Sequence, residues 1–257
     1  MPATAPAADA PVRTIPLANA ARTRGNVTVL PTHCSTCNLR GVCLPCGLDA
    51  AEQQRVGDAV YTRRRVKQGD TLLHAGTGFD SIYAVRSGFF KATVVLEDGR
   101  EQVTGFHMAG EVLGLDGIAT GRHAIDLVAL EDSEVCVIPY ANFEEPSLQR
   151  QLHKVMGREL LRDQGVMTLL GTMKAEERLA AFLLNLSQRF TARGFSPSEF
   201  HLRMKREEIG SYLGLSLETV SRLFSRFDDD GLIAVQQKHI RILDVAGLKS
   251  VMLQMTA

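Results

Sequence analysis

The chain has 257 residues, of which 45% are hydrophobic and 23% charged, and its 29 basic residues are matched by 29 acidic ones. That length supports two modest hydrophobic cores. Zero net charge means that any affinity for nucleic acid must come from a local patch. No run of 18 apolar residues occurs, which excludes a membrane-spanning helix.

In chain order, the opening "MPATAPAADAP" is Ala/Pro-rich and has neither a basic start nor an apolar core. It reads as a disordered tail over 1–32 and not as a secretory leader, so the chain is expected in the cytoplasm. The stretch that follows, "HCSTCNLRGVCLPCGL" (33–48), holds four of the five cysteines, spaced C-x2-C-x5-C-x2-C. In a reducing compartment such crowding points to metal or redox chemistry, not to disulfides.

Residues 49–145 carry short apolar runs punctuated by glycine, among them "SIYAVRSG" and "DSEVCVIP". Asp98–Gly99 between alternating segments predicts a two-residue hairpin, and the whole region predicts a β-roll sensor domain. From 146 to 174 the apolar period becomes helical. Met156, Leu160, Asp163, Met167 and Leu170 form a 4-3-4-3 seam suited to dimerisation, with one acid in its middle. Across a two-fold axis Asp163 meets its own copy, where two carboxylates about 6 Å apart repel by roughly 3 kcal/mol at an effective dielectric near 20. Asp163, flanked by Leu160 and Met167, is therefore the expected gate on dimer formation.

The last segment, 175–257, contains the sharpest local signal, "KREEIGSYLGLSLETVSRLFSRF". Ile209, Tyr212 and Leu213 face inward, Gly214 turns the chain, and Ser216 starts a second helix that buries Val220, Leu223 and Phe224. Glu218, Ser221, Arg222 and Arg226 stay outside. This is a helix-turn-helix, whose second helix reads base edges: Arg pairs with guanine, Glu accepts from cytosine, and Ser meets either base or phosphate. Between His201 and Phe227 five basic residues face three acidic ones, a local +2. "IAVQQKHIRIL" adds a hairpin wing tipped by Lys238 and His239.

The spacing of the cysteines leaves two chemistries open. Cys34, Cys37, Cys43 and Cys46 could close a structural zinc site, or three of them could join the distant Cys136 around an iron–sulfur cluster.

Together these pieces resemble the CRP/FNR family of bacterial regulators, and within it the fumarate–nitrate-reduction, oxygen-sensing branch. The resemblance spans about 33–245 and is carried by the cysteine segment, "YAVRSG", "EQVTGFHMAGEVLGLDGIA", "AEERLAAF" and "GSYLGLSLETVSRLFSRF". It implies an α+β chain: an N-terminal β-roll, a long dimerisation helix and a C-terminal winged helix-turn-helix. It also implies a non-enzymatic, oxygen-responsive regulator with a [4Fe-4S] cluster on Cys34, Cys37, Cys43 and Cys136, converted by oxygen to a [2Fe-2S] form. Cys46 is then a spare thiol. The implied partners are a second copy in a homodimer, a TTGAT…ATCAA-type palindrome in double-stranded DNA met by Glu218, Ser221 and Arg222, and RNA polymerase met by the "LEDGREQ" loop and Arg86–Ser87. Cyclic nucleotide is not expected, because Leu115 stands where the family's ribose-binding acid belongs and His123–Ala124 stand near its Arg-Ser pair.

Overall fold

The computed structural model describes residues 27–28, 34–60 and 62–253. Of the expected 1–32 tail only Val27–Thr28 lies among them, as β1; the rest is outside the described residues. After the cysteine segment comes α1 (Ala50–Ala59), started by a capping box in which Asp49 accepts from the Glu52 N–H and Glu52 accepts from the Asp49 N–H.

Eight strands follow: β2 (Thr62–Val66), β3 (Thr71–Leu73), β4 (Ser81–Ser87), β5 (Phe89–Val95), β6 (Glu101–Met108), β7 (Val112–Leu113), β8 (Asp126–Ala129) and β9 (Ser133–Pro139). They form two antiparallel sheets, ordered β1-β2-β9-β4-β7 and β3-β8-β5-β6. Between the sheets lies a core of Val66, Tyr83, Val85, Phe90, Leu113, Leu127 and Val135. Side chains alternate along a strand, so Ile82, Ala84, Cys136 and Ile138 point the other way. They join Leu44, Val56, Phe143, Leu148, Leu152 and Val155 in a second core beneath α1 and the start of α2.

The expected two-residue turn at Asp98–Gly99 is a three-residue loop. Leu96 pairs with Arg100 across it, and Gly99 takes φ +83°. That is the bulged hairpin, in which glycine fills the left-handed position. Gly88, between β4 and β5, has φ +94°, and a Cβ there would lie 2.0 Å from Ser133 Oγ.

Helix α2 (Pro146–Thr172) begins with Pro146 at its first position and Glu145 accepting from the Leu148 N–H. Its first turns are buried, whereas Leu160, Leu161 and Met167 are 60%, 70% and 63% exposed. Beyond it lie α3 (Ala175–Thr191), β10 (Glu199–His201), α4 (Arg206–Leu213), α5 (Leu217–Asp229), β11 (Ile233–Gln236), β12 (His239–Ile242) and α6 (Val245–Leu253). The last helix was not foreseen. The strands form a sheet ordered β10-β12-β11. The third core runs from Leu179, Leu183 and Leu186 through Ile209, Val220, Phe224 and Ile240, and also includes Phe89, Val103, Phe106 and Met108 of the roll. The C-terminal unit is thus packed on the outer face of the four-stranded sheet. Among the described residues no helix is long and apolar enough to cross a membrane.

Replacing Gly88 by alanine must strain a positive φ and displace Ser133, a combination expected to cost about 2–4 kcal/mol. Urea unfolding of Gly88→Ala against the parent checks this, and a loss under about 1 kcal/mol would show that the β4–β5 corner yields easily.

Candidate metal centre and nucleic-acid interface

Cys34 opens a short 3-10 turn, Cys37 N–H donates to the Cys34 carbonyl at 3.2 Å, and Cys43 N–H donates to the Leu39 carbonyl at 2.8 Å. The segment is held down by Leu44, 1% exposed in the second core. Cys136 reaches the same place from β9, where it lies opposite Ala84 on one side and Arg63 on the other. Cys34, Cys37, Cys43 and Cys136 all line one small cavity of about 30 Å³ that Cys46 does not border. No group of three or more His, Cys, Asp or Glu among the described residues is drawn together tightly enough for a single metal ion.

The electrostatics of this cavity are unfavourable to bare thiolates. Burial pushes the Cys34 thiol up to about 11, with Cys136 and Cys37 adding like-charge repulsion. Burial likewise takes Cys43 up to about 12, and Cys136 is raised for the same first reason, with Arg86 and Arg63 opposing it. Arg86 Nη1 donates to Cys37 Sγ at 3.8 Å while its Nε sits 3.3 Å from Glu134 Oε1. The four donors suit a cationic, thiophilic group that takes up thiolates as protons leave, and the two guanidiniums offset the negative charge of those thiolates. The cavity's small volume means that admitting more than one metal atom requires the segment to shift.

At the other end, Ser216 Oγ accepts from the Thr219 N–H at 3.2 Å and starts α5, after Gly214 at φ +64°. Val220 and Phe224 are buried, and Glu218, Ser221, Arg222 and Arg226 are exposed on one face. Hydrogen bonds from its own N–H and from Ser216 hold the Glu218 carboxyl below the usual range. Arg222 Nη2 lies 3.5 Å from Thr219 Oγ1. Arg226, in contrast, is engaged by Glu176 at 2.7 Å. In the wing, Lys238 Nζ donates to the Arg203 carbonyl at 3.2 Å.

A Crp-like helix-turn-helix domain matches residues 177–251, and a cyclic nucleotide-binding domain matches 63–146. The transcriptional regulatory protein Btr of Bordetella pertussis is 49% identical over 222 residues, covering 84% of this chain and 92% of Btr. The chain belongs to the CRP/FNR family. The fumarate and nitrate reduction regulatory protein of Escherichia coli is 43% identical over 215 residues, covering 82% and 86% of the two chains. The solved structure of FixK2 from Bradyrhizobium japonicum, 28% identical, superimposes with a TM-score of 0.67 over 74% of this chain and 96% of that one. With its helix-turn-helix, this CRP/FNR chain is a DNA-binding transcriptional regulator.

Against that family frame the groove between the four-stranded sheet and α2 is informative. It encloses about 1000 Å³ and is bordered by Leu113, Leu127, Met156, Leu160, Asp163 and Met167. At its inner end Asp116 accepts from the Ala124 N–H at 2.7 Å and lies 3.3 Å from Nδ1 of the buried His123. Arg122 points elsewhere, donating to the Gly76 carbonyl at 2.7 Å. Asp163 itself is exposed beside Leu160 and Met167 on the open face of α2.

Glu134 and Arg178 had no sequence signal, and Arg86 had one only as a surface contact. Arg86 and Glu134 look like surface charges until the β4–β9 register brings them beside the cysteines. Arg178 donates to the carbonyls of Met173, Leu170 and Leu213, at 2.9, 2.8 and 2.9 Å, joining the end of α2 to the end of α4.

Thiolate is the reacting form in alkylation. With Cys34 near 11 against an ordinary 9, its labelling by iodoacetamide at pH 8 in metal-free protein is expected to be roughly 100-fold slower than that of N-acetylcysteine. The rate should climb about tenfold per pH unit until the thiol titrates. Equal rates at pH 8 would mean the cavity is open to water.

Proposed function

We propose that this regulator senses oxygen through an iron–sulfur cluster held by Cys34, Cys37, Cys43 and Cys136, and that cluster state controls its binding to DNA as a homodimer in the cytoplasm. The observation that carries the reading is the shared cavity of those four thiols, three from one run of turns and one from a strand 93 residues beyond Cys43, with Cys46 outside it. When bound, a [4Fe-4S] cluster supplies oxygen-labile iron, and its conversion to a [2Fe-2S] form changes what the thiols must hold. The residues' own part is to bind and to insulate. Arg86 and Arg63 offset the negative charge of four thiolates, and Leu44 and Val56 close the apolar side.

The exposed stripe of Leu160, Leu161 and Met167 supports a two-fold seam along α2, and Asp163 in its midst opposes closure by like charge. Leu160 and Met167 supply the apolar area on either side of that acid. On DNA, the exposed Glu218, Ser221 and Arg222 read the major groove of a TTGAT…ATCAA-type palindrome, one half-site per protomer. The exposed Leu217 in the first turn of α5 adds an apolar surface for a thymine methyl. RNA polymerase is met by the 96–102 loop, where Leu96 is exposed beside the similarly open Val95 at the end of β5, and by the Arg86–Ser87 corner. A cyclic phosphate is disfavoured, because the Asp116 carboxylate already occupies the Ala124 N–H an anion would need.

Two measurements test this. Single Cys→Ser variants purified under nitrogen are analysed for iron and acid-labile sulfide: replacement of Cys34, Cys37, Cys43 or Cys136 abolishes the cluster, whereas Cys46→Ser retains it. A Cys46→Ser protein without iron beside a Cys136→Ser protein with metal would replace the cluster by a local zinc site. For DNA, Arg222→Ala is expected to lose roughly 1–3 kcal/mol per half-site and to relax discrimination at one base pair. Unchanged base preference across single-base operator variants would remove Arg222 from the reading set.

A further inference from the structure

The turn between β6 and β7 lies where the cysteine segment, the roll and the C-terminal unit meet. Gly110 has φ +88°, and a Cβ on it would sit 2.6 Å from Val42 Cγ2, so the cysteine segment rests directly on this turn. The turn is pinned to β4 by Gly110 N–H to the Val85 carbonyl at 2.7 Å and by Val85 N–H to the Glu111 carbonyl at 2.8 Å. The Glu111 side chain, 11% exposed, leaves on the opposite side and gathers three arginines. Arg189 donates to it through Nε at 3.0 Å and Nη2 at 2.7 Å, Arg193 through Nη2 at 2.7 Å, and Arg162 through Nη1 at 3.3 Å. Arg189 and Arg193 also hold the Phe106 and Ala109 carbonyls, at the end of β6 and the start of the turn. Arg189 belongs to α3, Arg193 follows it, and Arg162 belongs to α2.

We propose that Glu111 is a positioning residue that couples the cysteine segment to the orientation of the DNA-binding domain. Movement of Val42 shifts the Gly110 backbone, and the next residue carries that shift to α2 and α3 through charged, largely dry hydrogen bonds. A carboxylate forked between two guanidiniums is directional, so displacing it re-aims both arginines instead of only weakening them. The Met108 N–H also donates to this carboxylate, at 3.3 Å, so β6, α2 and α3 share one acceptor and a displaced Glu111 pulls on all three. The proposal concerns the packing of the segment and holds whichever metal group loads it.

The test is a double-mutant cycle read by hydrogen–deuterium exchange on the full-length, metal-free protein, so that failure of the cluster reading leaves it intact. Val42→Ala removes the contact with Gly110 without touching a thiol. In the otherwise native chain it is expected to speed exchange of amides in 175–194 by about five-fold, and in a Glu111→Gln background to add less than about two-fold. Arg193→Lys, which keeps the charge but gives up the fork, serves as a second background with the same expectation should Glu111→Gln fold poorly. The idea is overturned if Val42→Ala leaves 175–194 unchanged in the native background, or if its effect is equally large with and without the Glu111 contacts.

Discussion

The five-stranded sheet is buried on both faces, and the placement of Cys136 follows from that constraint. Along β9 the side chains of Val135 and Val137 turn toward the space between the sheets, while Cys136 and Ile138 turn toward α1 and the start of α2. A one-residue slip in the β4–β9 register would send Cys136 into the roll's interior and bring a valine under the cysteine segment. The ladder from Ser81↔Pro139 to Val85↔Val135 resists that slip, because it would bury or expose every residue of both strands at once. Leu44 then fixes the segment over the one thiol the strand presents.

The same two-sidedness explains why sensor and reader are not independent bodies. The outer face of the four-stranded sheet carries Phe89, Val103, Phe106 and Met108, which pack with Phe182, Tyr212 and their neighbours. Polar groups follow the apolar ones: Ser211 Oγ accepts from the Val103 N–H at 2.9 Å, and Lys91 meets Glu208 at 2.9 Å with both side chains mostly covered. The first helix of the helix-turn-helix is therefore a docking element for the roll, which frees α5 to face outward.

Much of this architecture could be read along the chain. The change from alternating to helical periodicity at Pro146, the Gly214 turn and the Ser216 cap are local signals, and local signals survive in one dimension. The length of the β5–β6 loop did not, since Asp-Gly serves both a two-residue turn and the last two places of a three-residue bulged one. Spacing left open whether Cys136 joins the other cysteines, and the particular set of four came only from family resemblance, because that partnership depends on strand register across 93 residues. Glu111, Arg162, Arg189 and Arg193 were invisible for a related reason. Each stands in a segment where a charge normally faces water, and only the packing of three elements reveals one shared carboxylate.

Arg178 has a mechanical consequence. Its guanidinium caps the carbonyls of Leu170 and Met173 at the end of α2 and that of Leu213 at the end of α4. Helix ends ordinarily fray separately, each losing its own last turn to water. Here one side chain serves both, so unwinding the end of α2 would uncover a carbonyl beside the helix-turn-helix, and tilting α4 would loosen α2. The joint between the long helix and the reading head behaves as a stiff bracket, not as a hinge. Small rotations of α2 about its axis arrive at α5 as displacements of the whole head, with little of the motion dissipated in the connection.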